Sequence, residues 1–204
     1  MAAAATGSSI LSGINSIASV RSAQSVRRIS HEYSNMRKAE AIQDDPKASK
    51  QLEYRFKLSL PDQDDISIWD VYITKLSLNG DTALDKQMVE HKIPHIHIHI
   101  RFPVDYPFSP PFIHVVTPKF VAFKGHITEQ GAFCTDILMP ASWTPARKIP
   151  DLIYDLFLLA SFAGAEIDPK RTGHVSTYEE ALVSFNSLKN SHRDWVVGPN
   201  PTNG

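Results

Sequence analysis

A strict alternation of histidine and isoleucine occupies residues 95–100 and constrains the fold more than any other stretch of the chain. Because successive side chains of a strand point to opposite faces, the alternation predicts a β-strand with one apolar face. Similar alternations occupy residues 52–58 and 66–74, and the turn sequence Asn79-Gly80-Asp81 follows them. With residues 112–116 as a fourth strand beyond a proline-rich bend, the pattern predicts a four-stranded antiparallel meander.

The three histidines of this strand, His95, His97 and His99, share one face, and imidazole is a good zinc ligand. Neighbouring ligands in line along one strand are about 7 Å apart, so a metal site would need another ligand from elsewhere. No CxxC or HExxH pattern supplies one. We therefore favour the alternative in which the isoleucines face the core and the histidines face solvent. No metal and no cofactor is expected.

Helical spacing flanks the predicted strands. From about Ser25 the apolar residues recur at three- and four-residue intervals, which predicts a first helix ending before Asp44. Residues 149–162 predict an apolar helix. A last helix is expected from about Ser176, with Leu182, Phe185 and Leu188 as core contacts. This order predicts an α+β domain with its helices on one face of an antiparallel sheet.

The first 31 residues contain no Asp or Glu and carry Arg21, Arg27 and Arg28, a composition that partly matches a mitochondrial transit peptide. We interpret residues 1–24 as a flexible tail, 25–196 as one folded core and 197–204 as a second tail. Targeting to mitochondria by the first tail stays open.

Charge and cysteine content narrow the function classes. The 21 basic and 22 acidic side chains create no global field for nucleic acid or an anionic membrane. No apolar run reaches the roughly 18 residues that span a bilayer. Neither a nucleic-acid partner nor a membrane is expected. A single cysteine favours a reducing compartment, so the expected location is cytoplasmic or nuclear.

That cysteine, Cys134, follows Gly131 by three residues and precedes Asp136-Ile137-Leu138 and Trp143-Thr144-Pro145-Ala146. Upstream, residues 102–111 read Phe-Pro-Val-Asp-Tyr-Pro-Phe-Ser-Pro-Pro, and their four prolines exclude a helix or a central strand. In this order and spacing, the motifs resemble those of the ubiquitin-conjugating enzymes. The resemblance covers about residues 25–195 and implies that family's fold.

One motif departs from the usual family pattern. Most members carry His-Pro-Asn, with the asparagine eight residues before the cysteine, whereas this chain has His126 at that position. The chain is similar in this respect to the divergent Q-type subgroup, which lacks the tripeptide. Its ending, with Leu188, His192 and Trp195, also resembles the C-terminal helix and tail of that subgroup.

The resemblance implies a thioester relay. Cys134 would accept ubiquitin from an activating enzyme and pass it to a substrate amine, usually with a ubiquitin ligase. His126 would donate a hydrogen bond to the oxyanion, unless it is a polar loop residue and backbone amides suffice. Asp136 would orient the incoming lysine, or serve only as a hydrogen-bonding loop residue. His174 falls near a position where many members have an acidic or serine gate.

The resemblance also implies partner surfaces. Phe108 and the loop Thr144, Pro145 and Ala146 match the family's ligase-docking loops, and Arg27 and Arg28 match the helix that docks the activating enzyme. Packing or solvation is the alternative for each. Two other functions remain: a ubiquitin-pathway binding scaffold that has the fold without transfer, and a redox or metal-binding protein that uses Cys134 with the strand histidines.

Overall fold

The computed structural model describes residues 21–45, 47–48 and 52–191. Its elements, in chain order, are α1 (Ala23–Ile42), β1 (Arg55–Ser59), β2 (Ile68–Lys75), α2 (Ala83–Glu90), β3 (Ile96–Arg101), β4 (Phe112–Thr117), α3 (Ile149–Phe162) and α4 (Tyr178–Ser191). The predicted α+β class and the four-stranded meander are confirmed. In the described part of the chain, no helix is long and apolar enough to cross a membrane.

The sheet is antiparallel throughout, in the order β1-β2-β3-β4. Its inner face carries the isoleucines of β3, which are fully buried, as the alternation predicts. Tyr33 of α1 packs edge-on against Trp69 of β2, 5.4 Å between ring centroids. Ile73 lines a crevice with Ile153 and Phe157 of α3, so α1 and α3 both cover this inner face.

The outer face carries the histidines, but they do not simply face solvent. His97 Nε2 and His99 Nδ1 both bond the same oxygen of Asp70, at 2.8 and 3.0 Å, and both rings are more than four-fifths buried. Because burial of an imidazole requires a partner for its polar atoms, Asp70 on the neighbouring strand accounts for their position.

The last helix corrects the prediction that all helices lie on one face. Tyr178 and Phe185 of α4 pack against Phe112, which is on the outer face of β4. The guanidinium of Arg101 lies 3.9 Å from the ring centroid of Tyr178. The predicted core contacts Leu182, Phe185 and Leu188 are only partly buried, because α4 covers one edge of the sheet and leaves its other side to solvent.

Helix α2 was missing from the sequence prediction, which identified only the turn at Asn79-Gly80-Asp81. Thr82 caps α2 in a capping box: its hydroxyl accepts the Asp85 N–H, and the Asp85 carboxylate accepts the Thr82 N–H. The signal was present as Thr82-x-x-Asp85 around the apolar Leu84. A helix of only two turns gives a weak periodicity, which explains the omission.

Helix α1 begins at Ala23 with Ser22 as its cap, two residues before the start expected from the apolar spacing. Its Glu32 is only 2% exposed. The carboxylate accepts hydrogen bonds from Arg28, at 2.9 Å, and from the backbone N–H of Ile149, at 3.3 Å. Glu32 therefore caps α3 from a distant part of the chain, since Lys148 at the cap position makes no side-chain hydrogen bond to the helix.

Some of the predicted segments cannot be compared with the fold. Trp195 and both predicted tails lie outside the described residues, apart from residues 21–24.

Candidate active site

Cys134 lies in the long connection between β4 and α3, on a short antiparallel excursion. Its N–H donates to the His126 carbonyl at 2.7 Å, and Ile127 pairs with Phe133 beside it. The buried Phe133 ring packs edge-on against Phe157 of α3, 5.6 Å between centroids. The backbone beside the thiol is thus tied to the fold, so the sulfur has a defined position.

A glycine is required at Gly131. Its φ is +87°, which side-chain-bearing residues rarely adopt, and a Cβ there would lie 2.0 Å from the carbonyl oxygen of Val115. This close approach allows the Val115 N–H to donate to the Gly131 carbonyl at 2.9 Å. The contact anchors the cysteine loop to the free edge of β4.

The thiol of Cys134 is half-buried and opens into a cavity of about 570 Å³. The walls come from the loop before the cysteine, from the end of α3 and from one side of α4. The lining residues include Phe123, His126, Ala163, Ser187, Leu188 and Ser191. A protein tail arriving from solvent can therefore reach the sulfur, as an acyl-transfer role demands.

The wall supplied by α4 was not anticipated. Ser184, Ser187 and Ser191 recur at three- and four-residue spacing and so share one side of the helix. Ser187 and Ser191 donate their hydroxyls to carbonyls one turn earlier, at 3.0 and 3.1 Å. The serine spacing was visible in the sequence, but nothing local indicated that this side meets Cys134.

Burial raises the pKa of the Cys134 thiol above its usual 9.0. No neighbouring cation is among the causes of this shift, so the free thiol is predominantly protonated at neutral pH. The thiolate is the nucleophile, and its small population sets the intrinsic reactivity of the sulfur.

His126 is the site residue that the structure brings nearest to Cys134. Its carbonyl accepts the Cys134 N–H, its exposed ring lines the same cavity, and its φ is +57°. Asparagine and histidine are enriched in this left-handed conformation among non-glycine residues. The backbone therefore suits either the histidine present here or the asparagine usual in the family.

The other two accessory candidates are placed differently. Asp136 is exposed and begins a single 3₁₀ turn, Asp136–Leu138, capped by Thr135. It is two residues from the thiol without lining the cavity. His174 is exposed, and its N–H bonds the Arg171 carbonyl in the connection to α4. Because it does not line the cavity either, the structure does not unite His174 with Cys134.

The two candidate docking loops lie together. Phe108 is 65% exposed, and Thr144, Pro145 and Ala146 are all exposed. Between them, the buried indole of Trp143 donates its N–H to the Pro107 carbonyl at 2.7 Å. This bond joins the proline-rich loop to the loop before α3, so their exposed tips form one surface.

Of the two basic candidates on α1, only Arg27 is exposed. Arg28 bonds Glu32 and the Arg147 carbonyl, and its guanidinium lies 5.9 Å from the Tyr106 ring centroid. Arg28 therefore has a structural task in joining α1 to the loop before α3. Within the described ranges, no group of three or more His, Cys, Asp or Glu side chains is arranged to hold a metal ion.

Comparison with known proteins identifies the family. The sequence model for ubiquitin-conjugating enzymes matches residues 28–191. A Q-like ubiquitin-conjugating enzyme of Drosophila melanogaster, CG4502, is 31% identical over 135 residues, which cover 64% of this chain and 43% of that protein. The human Q-like protein 1 of the ubiquitin-conjugating enzymes is 27% identical over 140 residues, covering 66% of this chain and 85% of that protein.

Among solved structures, human ubiquitin-conjugating enzyme E2 G1 aligns with a TM-score of 0.45 at 22% identity, over 68% of this chain and 95% of the other. The family match extends over most of the chain, from α1 through the cysteine loop to the end of α4. The protein therefore belongs to the ubiquitin-conjugating enzyme family, and its relatives are of the Q type.

Proposed function

We propose that this protein accepts ubiquitin as a thioester on Cys134 and transfers it to a substrate amine. The observation that carries the proposal is the position of the thiol. Within the region matched by the family, the only cysteine is half-buried on an anchored loop and opens into a cavity accessible to a polypeptide tail. Activating enzyme, ubiquitin, ligase and substrate protein are the partners that this function requires.

The proposed relay has two acyl transfers. In the first, the Cys134 thiolate attacks the carbonyl carbon of the thioester on the activating enzyme; a new C–S bond forms and the thiolate of the activating enzyme leaves. In the second, a substrate amine attacks the new thioester, a C–N bond forms, Cys134 leaves as thiolate and the amine loses a proton. Because thioester exchange needs little activation, correct positioning supplies most of the acceleration.

The raised pKa of Cys134 is compatible with this relay. A thiol with a high pKa is scarce as thiolate but more nucleophilic once ionised, and its thioester resists premature loss of the sulfur. Direct docking of the activating enzyme raises the local concentration of the acyl donor, which compensates for the small thiolate population. Arg27 on the exposed side of α1 is the basic residue that we assign to this docking.

His126 is proposed as the oxyanion donor, because it is bonded to Cys134 through its backbone and its ring lines the same cavity. Asp136 is proposed to orient the incoming amine from the rim. We give His174 no part in the chemistry, since it does not line the cavity. Phe108 with residues 144–146 is the proposed ligase surface.

Loading tests the first transfer. The protein is mixed with activating enzyme, ATP and ubiquitin and resolved on reducing and non-reducing gels. A thiol-sensitive adduct is expected for the wild type, and a thiol-resistant ester or no adduct for Cys134→Ser. If the folded protein forms no adduct beside a working control enzyme, the alternative of a binding scaffold replaces the proposal.

A matched pair of variants tests the second transfer. His126→Ala removes the ring, whereas His126→Asn keeps a side-chain donor and a residue that tolerates a positive φ. Loss of an oxyanion donor costs about 10²–10³ in rate, so we expect slow discharge to free lysine for Ala and near-normal discharge for Asn. Equal discharge by wild type and His126→Ala would reject the donor role.

A further inference from the structure

The cavity beside Cys134 reaches the last described residue of the chain. Ser191 both terminates α4 and lines the cavity, so the chain continues into residues 192–204 from the rim of the opening. These thirteen residues begin with His192-Arg193-Asp194, continue with the apolar run Trp195-Val196-Val197 and end in a stretch rich in glycine and proline.

The apolar part of the cavity has no cover among the described residues. Phe123 is fully exposed at its mouth and has a φ of +63°, an uncommon conformation for an aromatic residue. Ala163 and Leu188 contribute further apolar surface. A large aromatic side chain buries about 150–250 Å² of surface, which suits an opening of this kind.

The sequence spacing directs Trp195 to the same place. On a helix, residues four and seven apart share a side, and Trp195 stands four residues after Ser191 and seven after Leu188, two residues that line the cavity. In an extended course, four residues span about 13 Å, so the indole also reaches the opening without a helix.

We propose that residues 192–197, through Trp195, fold back over this cavity and cover Cys134 in the free protein. The short connection to Ser191 gives the segment an effective concentration in the millimolar range, so a contact too weak for a free partner suffices. The cover limits access to the sulfur for any acyl carrier or electrophile, and it stands independently of ubiquitin transfer.

The single cysteine makes the test direct, because every alkylation event reports Cys134. The rate of iodoacetamide alkylation is measured for the wild type, for the full chain with Trp195→Ala, and for chains ending after residue 191 or after residue 197. If the cover is closed about four-fifths of the time, Trp195→Ala and the first truncation alkylate about fivefold faster than the wild type. The chain ending after residue 197 keeps the apolar run and should retain the wild-type rate.

Circular dichroism establishes that each variant is folded at the assay temperature, and the point variant decides the result if the shorter truncation unfolds. Alkylation of Trp195→Ala at or below the wild-type rate would overturn the proposal. Protection that disappears when the wild type is diluted would assign the cover to a second copy and would also overturn it. A first-order rate independent of protein concentration supports the intramolecular cover.

Discussion

His114 makes a quantitative prediction for the pH dependence of stability. It lies on the outer face of β4, is 1% exposed, and has no hydrogen-bond partner at Nδ1. The surrounding groups come from three other elements: Asp70 on β2, His99 on β3 and Tyr178 on α4. Burial, followed by the nearby positive groups, lowers the pKa of His114 from 6.5 to about 3.

The sign follows from proton uptake. Between pH 6.5 and pH 3 the unfolded chain binds a proton at His114 that the folded protein excludes, so acid favours unfolding. From about pH 7 to about pH 5 this single group removes about 2 kcal/mol from the free energy of unfolding, because one pKa unit corresponds to about 1.4 kcal/mol. Asp70 does not contribute in this window: although burial opposes the shift, its histidine partners lower its pKa, so its effect begins near pH 3.8 and below.

Urea denaturation of the wild type and His114→Gln at about pH 7 and about pH 5 measures this contribution. The substitution has its own cost, but that cost cancels when the change between the two pH values is compared. We expect the variant to lose about 2 kcal/mol less than the wild type on acidification. Equal losses in the two proteins, or an NMR titration of the His114 ring above about pH 5, would refute the reasoning.

The cysteine loop and α1 give three more predictions. Gly131→Ala should destabilise the protein by about 3 kcal/mol or more and slow loading of Cys134, because its Cβ would overlap the Val115 carbonyl, whereas Gly173→Ala, with open space around it, should be near neutral in thermal unfolding. Glu32→Ala should cost about 2–3 kcal/mol in urea denaturation with an unchanged m-value, since it leaves Arg28 and the start of α3 without their acceptor; a cost below about 0.5 kcal/mol would contradict that role. The alkylation rate of Cys134 should still rise with pH through about pH 9, because burial raises its pKa; a plateau below about pH 8 would contradict it.

The sequence alone predicted those features that depend on a local repeat or on a motif. Alternation located the four strands and the inward isoleucines, helical spacing located α3 at Ile149–Phe162, and the ordered motifs around Cys134 indicated the family. Such patterns work because period two and period 3.6 assign side chains to faces before any tertiary contact forms.

Tertiary structure alone decided which of those faces meet. Nothing in the spacing of α4 showed that Tyr178 would cover the outer face of the sheet while Ser187 and Ser191 would form a wall beside the thiol. Likewise, Arg28 looked like a surface charge in the sequence, whereas Glu32 and the loop before α3 hold it in the fold. A one-dimensional pattern records the amphipathic character of an element, whereas its partner is chosen by packing between residues far apart in the chain.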